Sequence, residues 1–300
     1  MRLAYLILAH NTPNHFHRLI NALNTHDVHF FIHIDKKSYI SPYQEKNAIK
    51  NITFIVDRVS VFWGEFSLVE ATLKLMQAAL RYQDKFDYLI LISGSDYPLK
   101  SANYIKNHFI QENGYEFINL VEMPNKKADK LLNRLYNYQP QTLYNHRYYS
   151  IIKRIFGLVN TRIFHWRRDY IKALGDLKPY AGSGWWALSA NACEYILWFT
   201  QTNPKIVKFF KHTFIPDESF FHTIIGNSEF KNKVTRNLTF TKWQNQLNPE
   251  FINMEDVQNL LKMDKVMIDD VYGLGELLFA RKFYDDSANL TNMIDKITLN

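Results

Sequence analysis

A single cysteine, Cys193, occurs in 300 residues, so no disulfide can close within the chain and nothing requires an oxidising compartment. No apolar run approaches the ~20 residues needed to span a bilayer. The first such run, Leu3 to Ala9, follows one arginine and gives way at once to His10-Asn11, without the cleavage region of a secretory leader. These absences predict a soluble cytoplasmic protein. There is no Walker-type phosphate loop and no glycine-rich dinucleotide fingerprint. A Gly-x-Ser-x-Gly elbow is missing, and the lone cysteine has no partners at zinc-binding spacing. No Asp-x-Asp triplet stands ready to hold a divalent cation; the nearest suitable acid, Asp96, is isolated.

What is present argues for a well-packed globular chain. Hydrophobic residues make up 47% and aromatic residues 15%, including 18 Tyr and 22 Phe, which excludes disorder. Three hundred residues suffice for one large α/β domain or two small ones. A net charge of +7 suits anionic ligands, nucleic acid or an anionic membrane surface without choosing among them.

Continuous apolar runs from Leu3 to Ala9, Val28 to Asp35 and Tyr88 to Ser93 predict strands buried on both faces, and Asn51 to Val56 reads as another strand. Asn11-Thr12-Pro13 predicts the cap of a helix ending at Leu23. A second helix starts at Ser67, with Val69, Leu73, Met76 and Leu80 on its apolar face. This alternation predicts a mostly parallel sheet with helices on both faces, whose ligands bind beyond the carboxyl ends of the strands. His10, Asp35 and Asp96 all fall at those ends.

From Arg134 to Arg168 the pattern breaks into tyrosines and cations, as in Tyr144-Asn145-His146-Arg147-Tyr148-Tyr149 and His165-Trp166-Arg167-Arg168. Residues 134–180 read as an insertion or flap between two parts, 1–133 and 181–300, of one domain. Its mixture of aromatic and basic residues suits sugar stacking, a peripheral membrane contact at the inner face of the plasma membrane, nucleic acid or plain solvation. Farther on, Gly182-Ser183-Gly184-Trp185-Trp186 predicts a strand entered from a glycine turn. Its two indoles fit either a carbohydrate platform or the core. A helix follows from Asn191 to Phe199, and Leu238 to Trp243 predicts another strand.

The most informative stretch is Pro216-Asp217-Glu218-Ser219-Phe220-Phe221. Asp217 sits where a helix N-cap is favoured, and Glu218 falls in the first turn. Aromatic neighbours desolvate Glu218, which is expected to raise its proton affinity and suit it to general-base work. The bland alternative is a pair of acids complementing a helix dipole. Near the C-terminus Arg281 and Lys282 stand in an apolar setting, where one could meet a phosphate.

Six segments in order resemble the core-2/I-branching glycosyltransferases, a family that includes the peptide O-xylosyltransferases. They are Tyr5 to His10, His33 to Ser38, Tyr88 to Lys100, Gly182 to Trp186, Pro216 to Phe221 and Leu278 to Phe283. The resemblance implies a GT-A-like fold and inverting, metal-independent transfer of GlcNAc or xylose from a UDP-sugar to a glycan or lipid-linked oligosaccharide. It implies Glu218 as catalytic base, Lys282 at the diphosphate and Asp35 at the nucleoside. His10 and Asp96 would line the nucleotide cleft, and Trp185, Trp186 and Asp217 the acceptor side. No cofactor or divalent metal is expected, and nucleic acid is not an expected partner. The second diphosphate cation has two candidates, Arg281 and Lys242. Gly184 departs from the polar residue that relatives often carry before the tryptophan. The family's animal membrane anchor and cysteines are missing, which points to a bacterial relative building a surface polysaccharide. The alternative is a non-catalytic nucleotide- or glycan-binding protein on the same fold.

Overall fold

The computed structural model describes residues 1–45, 49–139, 167–243 and 249–298. The strands of its two main sheets are β1 (Leu3–Ala9), β2 (Val28–Ile34), β3 (Ile52–Phe54), β4 (Tyr88–Ser93), β5 (Asp96–Pro98), β6 (Glu116–Ile118), β7 (Trp186–Ser189), β8 (Val234–Thr235), β9 (Thr239–Thr241) and β10 (Phe279–Arg281). The principal helices are α1 (Pro13–Leu23), α2 (Ser67–Leu80), α3 (Ala102–Gln111), α4 (Ala190–Thr202), α5 (Phe220–Gly226) and α6 (Ala288–Thr298).

The seven-stranded sheet has the order β8-β6-β7-β4-β1-β2-β3. All its pairings are parallel except those of β7, which runs against both β4 and β6. The apolar runs are continuous because alternate residues feed opposite cores. Leu3, Tyr5, Ile7 and Ala9 of β1 pack with Phe16 and Leu19 of α1, Phe109 of α3 and Ile294 of α6. Ala4, Leu6 and Leu8 face the other core, with Val69 and Met76 of α2, Ile196 of α4 and both phenylalanines of α5. The mostly parallel α/β sheet covered on both faces is therefore as the alternation predicts.

Register brings the functional rim together. Ala9 lies opposite Ile34, and Leu8 opposite Ser93, so His10, Asp35 and the Gly94–Asp96 turn leave the sheet side by side. Gly94 is needed there: a Cβ on it would lie 2.6 Å from that of Ala9. A smaller sheet of order β9-β10-β5 then lays the C-terminal segment over this exit and places Arg281 directly opposite Asp96.

Several expectations change in detail. Thr12 does not cap α1; its hydroxyl donates instead to the Gly94 carbonyl, 3.1 Å away, tying the helix start to the rim. β3 is shorter than 51–56, as suits a half-buried edge strand. On α2, Val69 and Met76 are buried with Thr72, Leu75 and Ala79, whereas Leu73 and Leu80 lie at the margin. The strand after the glycine turn begins only at Trp186. Asp217 is not an N-cap: Pro216–Glu218 form a separate 3₁₀ turn, and Ser219 occupies the cap position of α5.

Of the 134–180 segment, the tyrosine- and cation-rich 140–166, with the sugar, membrane and nucleic-acid roles considered for it, lies outside the described residues. The described residues on either side of it meet: Asn137 bridges Arg167, and the Arg168 N–H donates to the Tyr136 carbonyl at 2.7 Å. Among the described residues no helix is long and apolar enough to cross a membrane.

Candidate active site

Strand alternation assigns the two cations of β10 and its end to different tasks. Arg281 turns inward, with its Nε 3.5 Å from Asp96 Oδ1 and its guanidinium 4.1 Å from the centre of the Trp185 ring. Asp96 is fully buried, so it does not line an open cleft as expected; it lies beneath Arg281 and positions it. Burial pushes the Asp96 carboxyl up to about 6, although Arg281 and the Ser93 N–H favour its anion. Lys282 turns the other way, with its ammonium 4.4 Å from the centre of the Phe251 ring. Phe251 in turn stacks on Tyr284 at 3.4 Å. Lys282 makes no ion pair among the described residues, and burial and the Arg281 charge hold its pKa below the ordinary lysine value. Lys242, the other candidate cation, is already engaged, at 2.9 Å from Asp256 and 3.8 Å from Glu250.

His10 and Asp35 complete this wall. The Asp35 carboxylate lies 2.8 Å from the Lys37 ammonium and accepts from the Lys37 N–H at 2.9 Å. Burial lowers the His10 pKa; Asp35 opposes the shift, and Lys37, Lys282 and Arg281 reinforce it, so all five side chains share one field.

A second wall carries the carboxylate turn, whose Asp217 lies close enough for its charge to act on Arg281. Glu218 Oε2 accepts from both Lys130 Nζ and Arg134 NH1, each at 2.6 Å, while Oε1 makes no hydrogen bond among the described residues. Burial alone would push its proton affinity up, but the two cations outweigh it and hold the carboxyl below its ordinary range. The expected aromatic desolvation is thus not what governs Glu218. Phe220 packs edge-on against Phe66 and Phe210, and Phe221 against Trp186, inside the core. The raised acid is Asp217, pushed up to about 7 by burial and by the neighbouring Glu218 charge; its Oδ1 is enclosed without a hydrogen bond to any described residue.

The glycine turn is fitted to this wall. Gly182 N–H donates to the Glu218 carbonyl at 3.0 Å, and a Cβ on Gly182 would fall 1.7 Å from the Asn119 carbonyl oxygen. A Cβ on Gly184 would lie 2.8 Å from Asp217 Oδ2, so the glycine makes room for the half-buried acid. His222 Nε2 lies 2.9 Å from the Ser183 carbonyl and holds the glycine turn. Trp185 is half-buried beneath Arg281, whereas Trp186 is 2% exposed and packs 5.6 Å from Phe221. Trp186 is therefore a core residue and offers no face to a sugar.

Lys130, Arg134 and Lys37 were not singled out by the sequence. Nor was Tyr272, whose hydroxyl proton is held more tightly by burial and by the Glu218 charge. Clefts of about 560 and 480 Å3 lie elsewhere, and neither is lined by Glu218, Arg281 or Lys282. Among the described residues, no group of three or more His, Cys, Asp or Glu side chains could hold a metal ion.

The site thus belongs to an α/β protein that sets a carboxylate against a cationic wall beyond the ends of its parallel strands. The chain belongs to the core-2/I-branching enzyme family, whose model matches residues 3–261. It is 27% identical over 257 residues to "Xylosyltransferase oxt" of Drosophila pseudoobscura pseudoobscura, covering 81% of this chain and 26% of that protein. It is 24% identical over 254 residues to "Xylosyltransferase 1" of Rattus norvegicus, covering 82% of this chain and 28% of that one. The chain therefore spans about a quarter of the length of these curated relatives. Among solved structures, the galactosyltransferase LgtC with donor and acceptor sugar analogues aligns over 98% of this chain and 95% of its own, at 10% identity and a TM-score of 0.40. No functional statement rests on that likeness.

Proposed function

We propose that the protein is an inverting glycosyltransferase that moves a sugar from a UDP-sugar to a hydroxyl of a glycan acceptor without a divalent metal. The acceptor is a growing surface polysaccharide or a lipid-linked oligosaccharide. One observation supports this reading: among the described residues, Glu218 Oε1 accepts no hydrogen bond on one wall, and the Lys282 ammonium has no ion pair beside the seated Arg281 on the other. In the step envisaged, Glu218 takes the proton of the acceptor hydroxyl as its oxygen bonds to the anomeric carbon. The bond from that carbon to the diphosphate breaks on the opposite face, and its electron pair leaves with UDP. Lys282 and Arg281 meet the charge that develops on the leaving group. Lys130 and Arg134 keep Glu218 ionised before the acceptor arrives. Asp35 and His10 receive the nucleoside end, and Trp185 supplies the remaining aromatic face.

The names of the relatives make xylose the first donor to test and GlcNAc the second. The experiment is a hydrolysis screen of UDP-xylose, UDP-GlcNAc, UDP-glucose and UDP-galactose, with UDP binding measured separately. Slow release of UDP from one donor supports the reading. UDP binding without turnover of any donor, alone or with acceptor glycans, favours the non-catalytic binding protein.

A further inference from the structure

Residues 59–66 form a strap between the two walls. At one end, Val61 N–H approaches Asp35 Oδ1 at 3.4 Å, the Val61 carbonyl accepts from Lys37, and the Phe62 ring centre lies 4.1 Å from the Lys37 ammonium. At the other end, the Gly64 carbonyl accepts from Ile215 N–H at 3.0 Å, directly before the Pro216–Glu218 turn. Trp63 meets Phe214 edge-on at 5.5 Å, and Phe66 meets Phe220 at the same distance. The strap therefore joins the nucleotide end of the cleft to the catalytic turn.

Glu65 sits in this strap with 3% of its surface exposed. Its carboxylate makes no hydrogen bond to any described residue, and Oε1 is completely enclosed. Burial raises its pKa, and the charge of Lys37 opposes that shift. An enclosed acid without a partner costs stability, because water is lost and nothing replaces it. Such a group, held between an anion-binding wall and a candidate base, is placed for a ligand.

We propose that Glu65 selects the donor sugar, its carboxylate accepting hydrogen bonds from hydroxyls of the transferred ring. This rests on the transferase reading above. The transferred ring must lie between the diphosphate and the acceptor hydroxyl, which is the interval the strap spans. A buried acceptor of this kind rejects a sugar whose hydroxyl is missing or inverted, since the carboxylate is then left unpaired.

The test uses Glu65→Met, which keeps length and bulk without an acceptor, and Glu65→Gln, which keeps a polar end. Each is measured for UDP affinity, for kcat/KM with the four UDP-sugars, and for Tm. The expected result for Glu65→Met is unchanged UDP affinity, a raised Tm, and a fall of at least ~tenfold with the preferred donor, so that preference among the four donors collapses. Glu65→Gln should fall between Glu65→Met and wild type. An unaltered donor preference in both variants overturns the proposal. So does a lowered Tm or loss of folding in Glu65→Met, because the carboxylate would then be holding the strap together. A wild-type protein that neither binds UDP nor turns over any donor overturns the transferase reading together with this one. Turnover by wild type with unchanged variants overturns this inference alone.

Discussion

At the scale of single residues, Glu218 is, in the proposed reaction, a base set by charge rather than by greasy surroundings. Two cations on Oε2 keep the group ionised, and Oε1, without a hydrogen bond among the described residues, is the oxygen proposed to meet the acceptor. A base held this way is weaker but present as the anion over a wider range of pH. Glu218→Gln removes the proton acceptor while keeping shape, so transfer should fall by at least ~10²-fold with UDP binding unchanged. Steady-state transfer and UDP titration check both halves, and near-normal transfer would reassign the base. Lys130→Ala removes one of the charges that lower the Glu218 pKa, so its proton affinity rises. The acid limb of kcat/KM should then move to higher pH, with transfer at alkaline pH less affected. An acid limb at the wild-type position would show that Glu218 does not set it.

At the scale of elements, the carboxylate turn divides two adjacent acids between different jobs. Asp217 caps nothing, and its pKa is raised to about 7 by burial first and the Glu218 charge second. For a carboxyl with a raised folded-state pKa, the favourable contribution is present below the unfolded value and is lost as pH rises through the folded one. Stability attributable to Asp217 should therefore decline from the ordinary aspartate range up to about pH 7. Asp217→Asn cannot ionise, so its Tm relative to wild type should improve between pH 5 and 8. Thermal unfolding across that window decides the matter, and a constant difference would mean that Asp217 does not titrate there. Strand alternation explains what was legible and what was not at this scale. The runs that became β1, β2 and β4 were readable because burial on both faces leaves an unbroken apolar signature. Trp185 and Trp186 read alike in sequence because alternation says that neighbours face opposite ways but not which one faces the core; the pairing of Trp186 with Ile118 and its packing on Phe221 show that it is the one inside. Lys130 and Arg134 were illegible for a different reason. They stand 88 and 84 residues from Glu218, in a segment without clear periodicity, and no local pattern reports a partner at that distance.

At the scale of the whole molecule, the parallel register of three central strands and the return of the C-terminal segment assemble one site from distant parts of the chain. His10 and Asp35 arrive on strand ends, Asp96 on the turn after β4, and Arg281 and Lys282 by pairing of β10 with β5. Asp96 is buried beneath the guanidinium it seats, so the acid nearest the cationic wall is turned away from any bound cation and toward Arg281. In the proposed reaction, charge on the leaving diphosphate is met by Arg281 and Lys282 themselves. Activity with the preferred UDP-sugar should persist in excess EDTA. Lys282→Ala should lose roughly ten- to a hundredfold in kcat/KM, the value of a charge-assisted contact to the leaving group. Added manganese should not restore the variant, because among the described residues no group of carboxylates and histidines could hold the ion. Loss of wild-type activity on chelation with recovery on manganese, or full activity of Lys282→Ala, would move the diphosphate away from this wall and undo the metal-free step.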